Sequence, residues 1–405
     1  MVTSPEIKYL STALLLALFL RIGCMNIPAT CDIPDYAKVQ LVASDENSQT
    51  LKFPGQIGKY IFSPDGNTLI VDVYTSDLPE MKKQKEAKRV DDVLLFWDLK
   101  NHKLITYMEF TDQGVDDIAL SPDGNYLVAS IEQSPREDNY PKQYLYVWNA
   151  HNMKLVRRIS LSGQTYPPAL KFSPQGHLLA LNSMMVIQLI DTSSWKRSND
   201  LKMIATESQF GMLQNEDEAF SLDGKKVAAA SCNLNTESET MWTLTIWNAK
   251  TGKAQFYLND SKFILDPHDD FTCLGTPISF LGDDHTIVAD SYILDTRNLK
   301  KGAKKLISTQ DLSKLDSTKF QNVGMYVNRN KQLALLDCWD KKSKLVLWDL
   351  KSKKALHTWT GSLAKHEPYE SPSNIVFSPD GNQVAFNEVL DSAINSNVLQ
   401  VWNIP

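Results

Sequence analysis

A tract of eleven residues recurs along this chain, and the repetition constrains the fold more than any other feature of the sequence. The clear copies read IFSPDGNTLIV, ALSPDGNYLVA, KFSPQGHLLAL, AFSLDGKKVAA and VFSPDGNQVAF, and they begin at Ile61, Ala119, Lys171, Ala219 and Val376. Two weaker copies, SFLGDDHTIVA and MYVNRNKQLAL, begin at Ser279 and Met325. Self-similarity at intervals of about 50 residues is typical of architectures in which each copy forms one supersecondary unit.

The turn in the middle of each tract has a conformational requirement that the weaker copies also meet. Ser-Pro-Asp-Gly suits a tight turn, because Pro fixes φ at the second position and Gly tolerates a positive φ at the fourth. The glycines at that position are Gly66, Gly124, Gly176, Gly224 and Gly381. The weaker copies have Asp284 and Asn330 instead, and these residue types best tolerate a left-handed backbone after glycine. The pattern therefore predicts seven structural repeats.

A second signal follows each turn, where an alternating apolar strand ends in a large apolar residue followed by Asp or Asn. The large residue is Ile190 or Leu294 in two repeats, and in the other five it is Trp97, Trp148, Trp247, Trp348 or Trp402. We expect the large residue to pack between sheets and the Asp or Asn to cap the next turn by accepting backbone hydrogen bonds. The five tryptophans are therefore predicted to be core residues.

Each repeat reads as four short strands joined by tight turns and loops, which is the pattern of a four-stranded antiparallel blade. With Trp-Asp ending the third strand and Ser-Pro-Asp-Gly between the first two, the chain resembles the WD-repeat (WD40-type) β-propeller family. It resembles a divergent bacterial, exported type that lacks the Gly-His dipeptide of standard repeats. The resemblance covers residues 38–405 and implies an all-β fold, a single seven-bladed β-propeller with four-stranded antiparallel blades.

The two ends of the chain predict how the ring closes. The last repeat ends after its third strand, at Trp402-Asn403-Ile404-Pro405, so its fourth strand is missing. An unassigned strand-like segment, Lys38 to Ala43, precedes the first repeat. The family resemblance implies that an N-terminal strand completes the last blade, which would also remove an exposed sheet edge. The sequence therefore predicts closure by residues 38–43.

The first residues are interpreted as an export signal, so 1–23 is predicted to be a signal peptide and 24–37 a linker. The apolar run from Tyr9 to Leu20 follows Lys8 and is too short to span a membrane, which takes about twenty residues. Gly23-Cys24 resembles the lipoprotein cleavage box, which makes Cys24 a candidate for lipidation and membrane anchoring. Cleavage without lipidation and an uncleaved anchor are the alternatives. All three place the body of the protein outside the cytoplasm: periplasmic, membrane-anchored or extracellular.

Four further cysteines, Cys31, Cys232, Cys273 and Cys338, show no CxxC spacing of a zinc or redox site. The expected topology brings Cys232 and Cys273 to the same end of neighbouring blades, so a disulfide between them is geometrically possible. It places Cys31 and Cys338 at opposite ends, beyond the limit of about 7 Å between Cα atoms. Buried free thiols are the alternative reading.

Composition and charge exclude several classes of protein. Hydrophobic residues make up 42% and charged residues 22%, which is unlike an intrinsically disordered chain. Only one segment is continuously apolar, which argues against a polytopic membrane protein. With 42 basic and 48 acidic residues the net charge is −6, whereas a nucleic-acid binder needs a basic surface.

The insertions concentrate at one end of the predicted blades, and such a rim is usually the binding face of a repeat scaffold. The insertion in the first repeat contains Lys82, Lys83 and Lys85 and is expected to form a solvated, partly helical loop. It lacks the interleaved aromatic residues of a nucleic-acid site. The acidic candidates on the same face are Asp116, Asp117, Asp217 and Glu218. A basic partner or a cation could be attracted to them.

Catalytic and metal-binding motifs are weak. His268, Asp269 and Asp270 are the best metal candidates, but they lack calcium-loop spacing and read as an acidic surface loop. The sequence has no GxSxG nucleophile elbow. No cofactor is predicted. The leading hypothesis is a monomeric, non-enzymatic scaffold that binds a protein or peptide. The alternative is an envelope enzyme or sensor that binds a small ligand or metal at the central channel, where Asp117 and Glu218 are candidates.

Overall fold

The computed structural model describes residues 20–22, 33–76, 78–82, 90–133, 142–161, 168–183, 186–202, 214–234, 240–259, 278–289, 292–297, 304–305, 323–328, 333–338, 344–360, 375–387 and 397–404. In these ranges the fold is all-β, as the repeats predict, with strands arranged in seven antiparallel sheets. The described helical segments are a 3-10 turn, η1 (Asp35–Ala37), and a single α-helical turn, α1 (Pro79–Lys82).

The first four sheets follow one another along the chain, and each consists of consecutive antiparallel strands. The first contains β4 (Gln56–Phe62), β5 (Thr68–Tyr74), β6 (Val90–Asp98) and β7 (Lys103–Thr111). The second contains β8 (Gln113–Leu120), β9 (Tyr126–Gln133), β10 (Lys142–Asn149) and β11 (Lys154–Ser160). The third contains β12 (Ala169–Phe172), β13 (Leu178–Ser183), β14 (Val186–Asp191) and β15 (Lys196–Lys202). The fourth contains β16 (Gln214–Phe220), β17 (Lys226–Leu234), β18 (Thr240–Asn248) and β19 (Ala254–Asn259).

The last three sheets repeat this order, and N-terminal strands are added to two of the seven. The fifth contains β20 (Ile278–Phe280), β21 (Thr286–Ala289), β22 (Tyr292–Asp295) and β23 (Lys304–Lys305). The sixth contains β24 (Val323–Asn328), β25 (Leu333–Cys338), β26 (Lys344–Asp349) and β27 (Lys354–Thr360). The seventh contains β28 (Ile375–Phe377), β29 (Gln383–Asn387) and β30 (Val398–Asn403), followed by β3 (Ser48–Lys52) and β2 (Gln40–Ser44). The strand β1 (Leu20–Ile22) pairs with β7 in the first sheet.

The hydrophobic core lies between neighbouring sheets rather than within any one of them. Phe110 of the first sheet packs against Trp148 of the second, with ring centroids 6.1 Å apart. Leu51 and Leu399 of the seventh sheet share a cluster with Val93 of the first. Strands in such positions are covered on both faces and read as nearly continuous apolar runs, as β5 does. No repeat could bury its apolar side chains alone, because each needs a neighbouring sheet.

The Ser-Pro-Asp-Gly turns have the geometry that the sequence predicts, whereas in the fifth sheet the residue with positive φ is Gly282 and not the expected Asp284. In the second sheet the Gly124 amide donates to the Ser121 carbonyl at 2.8 Å. Asp123 Oδ1 accepts hydrogen bonds from the Ser121 hydroxyl at 2.6 Å and the Asn125 amide at 3.0 Å. Burial acts to raise the pKa of Asp123, but these hydrogen bonds outweigh it and lower the pKa. The aspartate therefore holds the turn in its ionised form.

The Asp and Asn residues after the third strands of the first six sheets cap the next turn, as the sequence predicts. Asp98 Oδ1 accepts hydrogen bonds from the amides of Lys100 at 3.0 Å and Asn101 at 2.8 Å. The turn then ends in a residue with positive φ, which is His102 in the first sheet. The equivalent positions are Met153, Trp195, Gly252 and Lys353. Of these only Gly252 is a residue type that signals a left-handed backbone.

Replacing a turn glycine is expected to show how tightly these turns pack against the next sheet. Gly124 and Gly381 have φ values of 72° and 74°, where an added Cβ is strained. A Cβ on Gly124 would meet its nearest neighbour at 3.8 Å, whereas one on Gly381 would lie 2.4 Å from Asn328 Nδ2. Gly124→Ala should cost about 1 kcal/mol and Gly381→Ala at least about 2 kcal/mol, measured by urea unfolding. Equal losses would contradict the close packing of Asn328 against the turn that contains Gly381.

The strand that pairs with the C-terminal strand differs from the prediction. Residues 38–43 were expected to complete the last sheet, but β3 pairs with β30, from Ser48 opposite Trp402 to Lys52 opposite Val398. The expected segment overlaps β2, which pairs with β3 on the outside and is exposed along its length. Leu51 is 0% exposed, and this burial favours β3 next to β30. The prediction that an N-terminal strand completes the last sheet is therefore confirmed, but the strand is β3 and not the segment 38–43.

The predicted linker, 24–37, also differs in its last residues. Ala37 is 0% exposed, and Ile33, Tyr36 and Val39 pack against the cluster between the seventh and first sheets. The Tyr36 hydroxyl donates a hydrogen bond to Glu109 Oε1 at 2.7 Å. Residues 33–37 are thus part of the packed fold. Cys24, Cys31 and Cys273 lie outside the described residues, so the structure does not test lipidation or the Cys232–Cys273 disulfide.

The apolar N-terminal run lies mostly outside the described residues. Its last residue, Leu20, begins β1, which pairs antiparallel with Met108 to Phe110 of β7. Within the described ranges, no helix has the length and apolar character needed to cross a membrane.

Candidate functional site

The two ends of the sheets differ in the length of their connections. At one end, called here the turn end, the first and second strands are joined by short turns such as 63–67 and 121–125. At the other, called the loop end, the connections run as long as 75–89, 260–277, 306–322 and 361–374. Because neighbouring strands are antiparallel, all the long connections leave the sheets at the same end. α1 lies in the connection 75–89, which agrees with the predicted partly helical insertion.

The innermost strands of all seven sheets border one cavity of about 680 Å³. The cavity lies near the turn end and is lined mainly by apolar residues. Each sheet contributes at least one lining residue. Representatives from the first to the seventh sheet are Ile61, Ile118, Phe172, Phe220, Ile278, Tyr326 and Phe377. Polar groups among the lining residues include Lys171 and Asn328. The seven sheets therefore border the same cavity.

Asp117 of β8 links the second sheet to the third. Its Oδ2 accepts a hydrogen bond from the Leu170 amide at 2.6 Å. Burial raises the pKa of Asp117, and the ammonium groups of Lys59 and Lys171 act in the opposite direction. This carboxylate, predicted as a binding-face residue and as a channel candidate, is therefore occupied in joining two sheets.

Glu218 of β16 is also engaged inside the protein. It is 2% exposed, and its Oε2 accepts a hydrogen bond from Asn182 Nδ2 of the third sheet at 2.7 Å. Its backbone carbonyl accepts a hydrogen bond from Lys171 Nζ. The expectation that Glu218 lies on an exposed acidic rim is therefore wrong. The neighbouring Asp217 lies on β16, but its side chain is outside the described residues.

Three acidic side chains meet between the first and second sheets, and sequence reasoning missed two of them. Asp72 on β5 and Asp92 on β6 are 0% and 3% exposed, and Asp116 on β8 is partly buried. These three residues are called the junction cluster below. Burial is the main cause that raises the pKa of Asp92 to about 8 and that of Asp116 to about 7. An aspartate within the apolar run Leu69 to Val73 was a visible signal for a buried acid.

The structure describes only one of the other predicted site residues. Lys82 ends α1 and is exposed, whereas Lys83 and Lys85 lie outside the described residues. The metal candidates His268, Asp269 and Asp270 also lie outside them. Within the described ranges, no group of three or more His, Cys, Asp or Glu side chains is arranged to hold a metal ion.

Four of the five tryptophans that end third strands are core residues, as predicted. Trp97, Trp148, Trp247 and Trp348 are at most 4% exposed. Trp402 is only partly buried and lies in an aromatic group with His357 and Trp359.

Comparison of the sequence with models of protein families finds no match. A search of the curated proteins also finds none.

Proposed function

We propose that the seven sheets are the blades of a seven-bladed β-propeller of the WD-repeat type, closed where β3 pairs with β30. The cavity bordered by the innermost strands of every sheet supports this arrangement. Contacts between β4 and β8, and between β28 and β4, support a closed order in which the seventh sheet is next to the first. Closure of this kind leaves a propeller with short, protected edges.

The protein is proposed to be an exported, non-enzymatic scaffold that binds a protein or peptide at its loop end. The observation that carries this proposal is the concentration of long connections at that end, on a scaffold whose other end has short turns. Binding residues are disproportionately found on loops that a rigid scaffold positions. The hydrogen bonds of Asp117 and Glu218 to the third sheet support a structural rather than a catalytic role for these two carboxylates.

Site-specific photocrosslinking tests this proposal in the envelope of the producing cell. A photoreactive amino acid would replace Glu137 in the β9–β10 connection at the loop end, and Lys100 in the β6–β7 turn at the turn end as the matched control. We expect a discrete crosslinked partner from position 137 and none from position 100. Full-length protein that folds normally in both variants is required, which circular dichroism checks.

Two outcomes would contradict the proposal. A discrete partner crosslinked from position 100 alone would place binding at the turn end. The rival function, a small ligand or metal in the central cavity, predicts instead a saturable rise in melting temperature with one cation or sugar and no crosslink from either position.

A further inference from the structure

The junction cluster contains a carboxyl group that is buried with no cation among the groups that act on it. Asp72 is 0% exposed, and neither of its side-chain oxygens makes a hydrogen bond within the described part of the chain. The Lys59 backbone amide favours the charged form of Asp72, but its influence is smaller than those of burial and of the neighbouring Asp92 and Asp116. An isolated buried carboxylate is costly, so such a group is held in its protonated, neutral form.

The backbone around the cluster leaves room for these carboxyl groups. A Cβ added to Gly58 on β4 would lie 2.2 Å from Asp72 Oδ2. Gly58 falls where the register of β4 and β5 shifts between Ile57 and Tyr60. At the facing side of the cluster, a Cβ on Gly114 of β8 would lie 3.8 Å from Asp92 Oδ2. A glycine and a bulge together thus shape the pocket that the Asp72 side chain fills.

The cluster joins the first sheet to the second through hydrogen bonds to the backbone of the second. Asp92 Oδ2 accepts from the Val115 amide on β8 at 2.6 Å. Next to it, Asp91 Oδ2 accepts from the Asp112 amide, in the connection between the sheets, at 2.8 Å. Asp116 lies on β8 itself, and its Oδ2 is buried with no hydrogen-bond partner in the described ranges. The state of these carboxyl groups therefore bears directly on how the two sheets hold together.

Acidic groups outnumber basic ones around the cluster. The acidic neighbours that act on its members are Asp91, Asp117 and Glu132. The cluster and Asp117 also raise the pKa of Tyr74. The neighbouring cations, Lys59 and Lys171, act on Asp117. Each member that ionises thus gains a negative charge in a buried and already acidic environment.

We propose that the junction cluster is a proton-operated latch between the first and second sheets, closed while Asp72, Asp92 and Asp116 are protonated. A protonated carboxyl group is neutral and carries an O–H donor that can pair with a neighbouring carboxyl. Loss of protons leaves like charges close together in a site of low polarity. The two sheets then separate locally near the loop end, where β5 ends and where β6 and β8 begin. The latch thereby couples external acidity to the end of the protein that carries the long loops.

The direction of the effect follows from proton linkage. The three carboxyl groups hold their protons in the folded protein at pH values where the unfolded chain, with ordinary aspartate pKa values near 3.8, has lost them. Stability from this region is therefore fully present in acid and falls as the pH rises towards the folded-state pKa values of about 7 and about 8. Above those values Asp92 and Asp116 are ionised in both states.

Hydrogen exchange read by mass spectrometry tests the latch in the full chain. Exchange of peptides from β4 to β6 and from β8, corrected for the intrinsic pH dependence of exchange, would be compared at about pH 5 and about pH 9. We expect local opening to be at least about tenfold more frequent at the higher pH, the equivalent of one pKa unit. Peptides from the sixth sheet should show no such change.

Asp72→Asn and Asp92→Asn remove the ionisable groups while keeping the shape of the side chains. Each should reduce the pH effect on the first two sheets, and the variant with both substitutions should reduce it to less than about threefold, because the amides stay neutral throughout. The matched control is Asp123→Asn, in an exposed turn of the second sheet, which should retain the full effect. If a buried substitution prevents folding, Asp116→Asn, at a partly exposed position, makes the same test.

Retention of the wild-type pH effect in these variants would overturn the proposal. So would a saturable suppression of opening by Ca²⁺ at about pH 9 that Asp72→Asn abolishes, since the carboxylates would then serve a cation rather than protons.

Discussion

Leu51→Ala is expected to destabilise the protein by about 2–5 kcal/mol, because it empties a buried site in the strand that pairs with the C-terminal strand. Leu51 is 0% exposed and lies opposite Leu399, and both belong to the cluster between the seventh and first sheets. The Leu51 side chain packs in a cluster that contains residues from both ends of the chain. Urea unfolding followed by tryptophan fluorescence measures the change.

The matched control is Leu41→Ala, ten positions earlier in β2. Leu41 is 38% exposed on a strand whose residues are all exposed, so its loss should cost less than about 0.5 kcal/mol. The pair also separates the two candidates for the closing strand. A large loss at Leu41 with a small one at Leu51 would restore the sequence-based prediction that residues 38–43 close the ring.

Trp148→Ala is expected to cost about 3–5 kcal/mol, at the upper end for a single substitution. Trp148 is 1% exposed, stacks on Tyr146 with ring centroids 5.5 Å apart, and meets the edge of Phe110 in the first sheet. Removing it opens a cavity in the apolar cluster that joins the first and second sheets. The melting temperature should fall in a calorimetric scan, with the transition remaining cooperative.

Trp402→Ala provides the comparison at the equivalent position of the seventh sheet. Trp402 is partly exposed, and its neighbours His357 and Trp359 can close over part of the space it leaves. The expected loss is about half that of Trp148→Ala. Equal losses would show that the repeat position, rather than burial in each sheet, determines the contribution of these tryptophans.

Much of the fold could be predicted because each repeat has the residue types that its turns require. The turn that contains Asp123 and Gly124 needs one residue with positive φ and one acceptor for backbone amides, and both needs limit the residue type. The same turn chemistry made seven repeats recognisable, although the sequences of two copies match the others only weakly. His102 and Lys353 have positive φ without any such limit in the sequence, so these positions were not predicted.

The identity of the strand that pairs with β30 could not be predicted from the local sequence pattern. Four of the six residues in the segment 38–43 are apolar, whereas β3 has the polar sequence Ser48-Gln49-Thr50-Leu51-Lys52 and looks less like a core strand. The distinction depends on one leucine that becomes buried only when the C-terminal strand is in place. Contacts between distant parts of a chain leave little trace in short-range periodicity.

The sequence predicted which end of the sheets carries the long connections. It did not predict which acidic residues are buried between the sheets. Acidic residues at the starts of innermost strands were interpreted as surface charges, since Asp and Glu are mostly exposed. Asp117 and Glu218 are instead hydrogen-bonded to the third sheet. Asp92 was missed because its strand, from Val90 to Asp98, has acidic residues at both ends that resemble ordinary boundaries.

The pairing of β3 with β30 has a consequence for the order in which the protein acquires its structure. The hydrogen bond between Thr50 Oγ1 and Gln400 Oε1 joins residues 350 positions apart. Closing a loop of that length costs about 5 kcal/mol of chain entropy, which only contacts formed afterwards can offset. A ribosome releases residue 50 long before residue 400, so the seventh sheet cannot form until residue 400 has been synthesised. Until then the chain keeps an open strand edge, and its late completion leaves a period in which chaperones or a translocation machinery can still engage it.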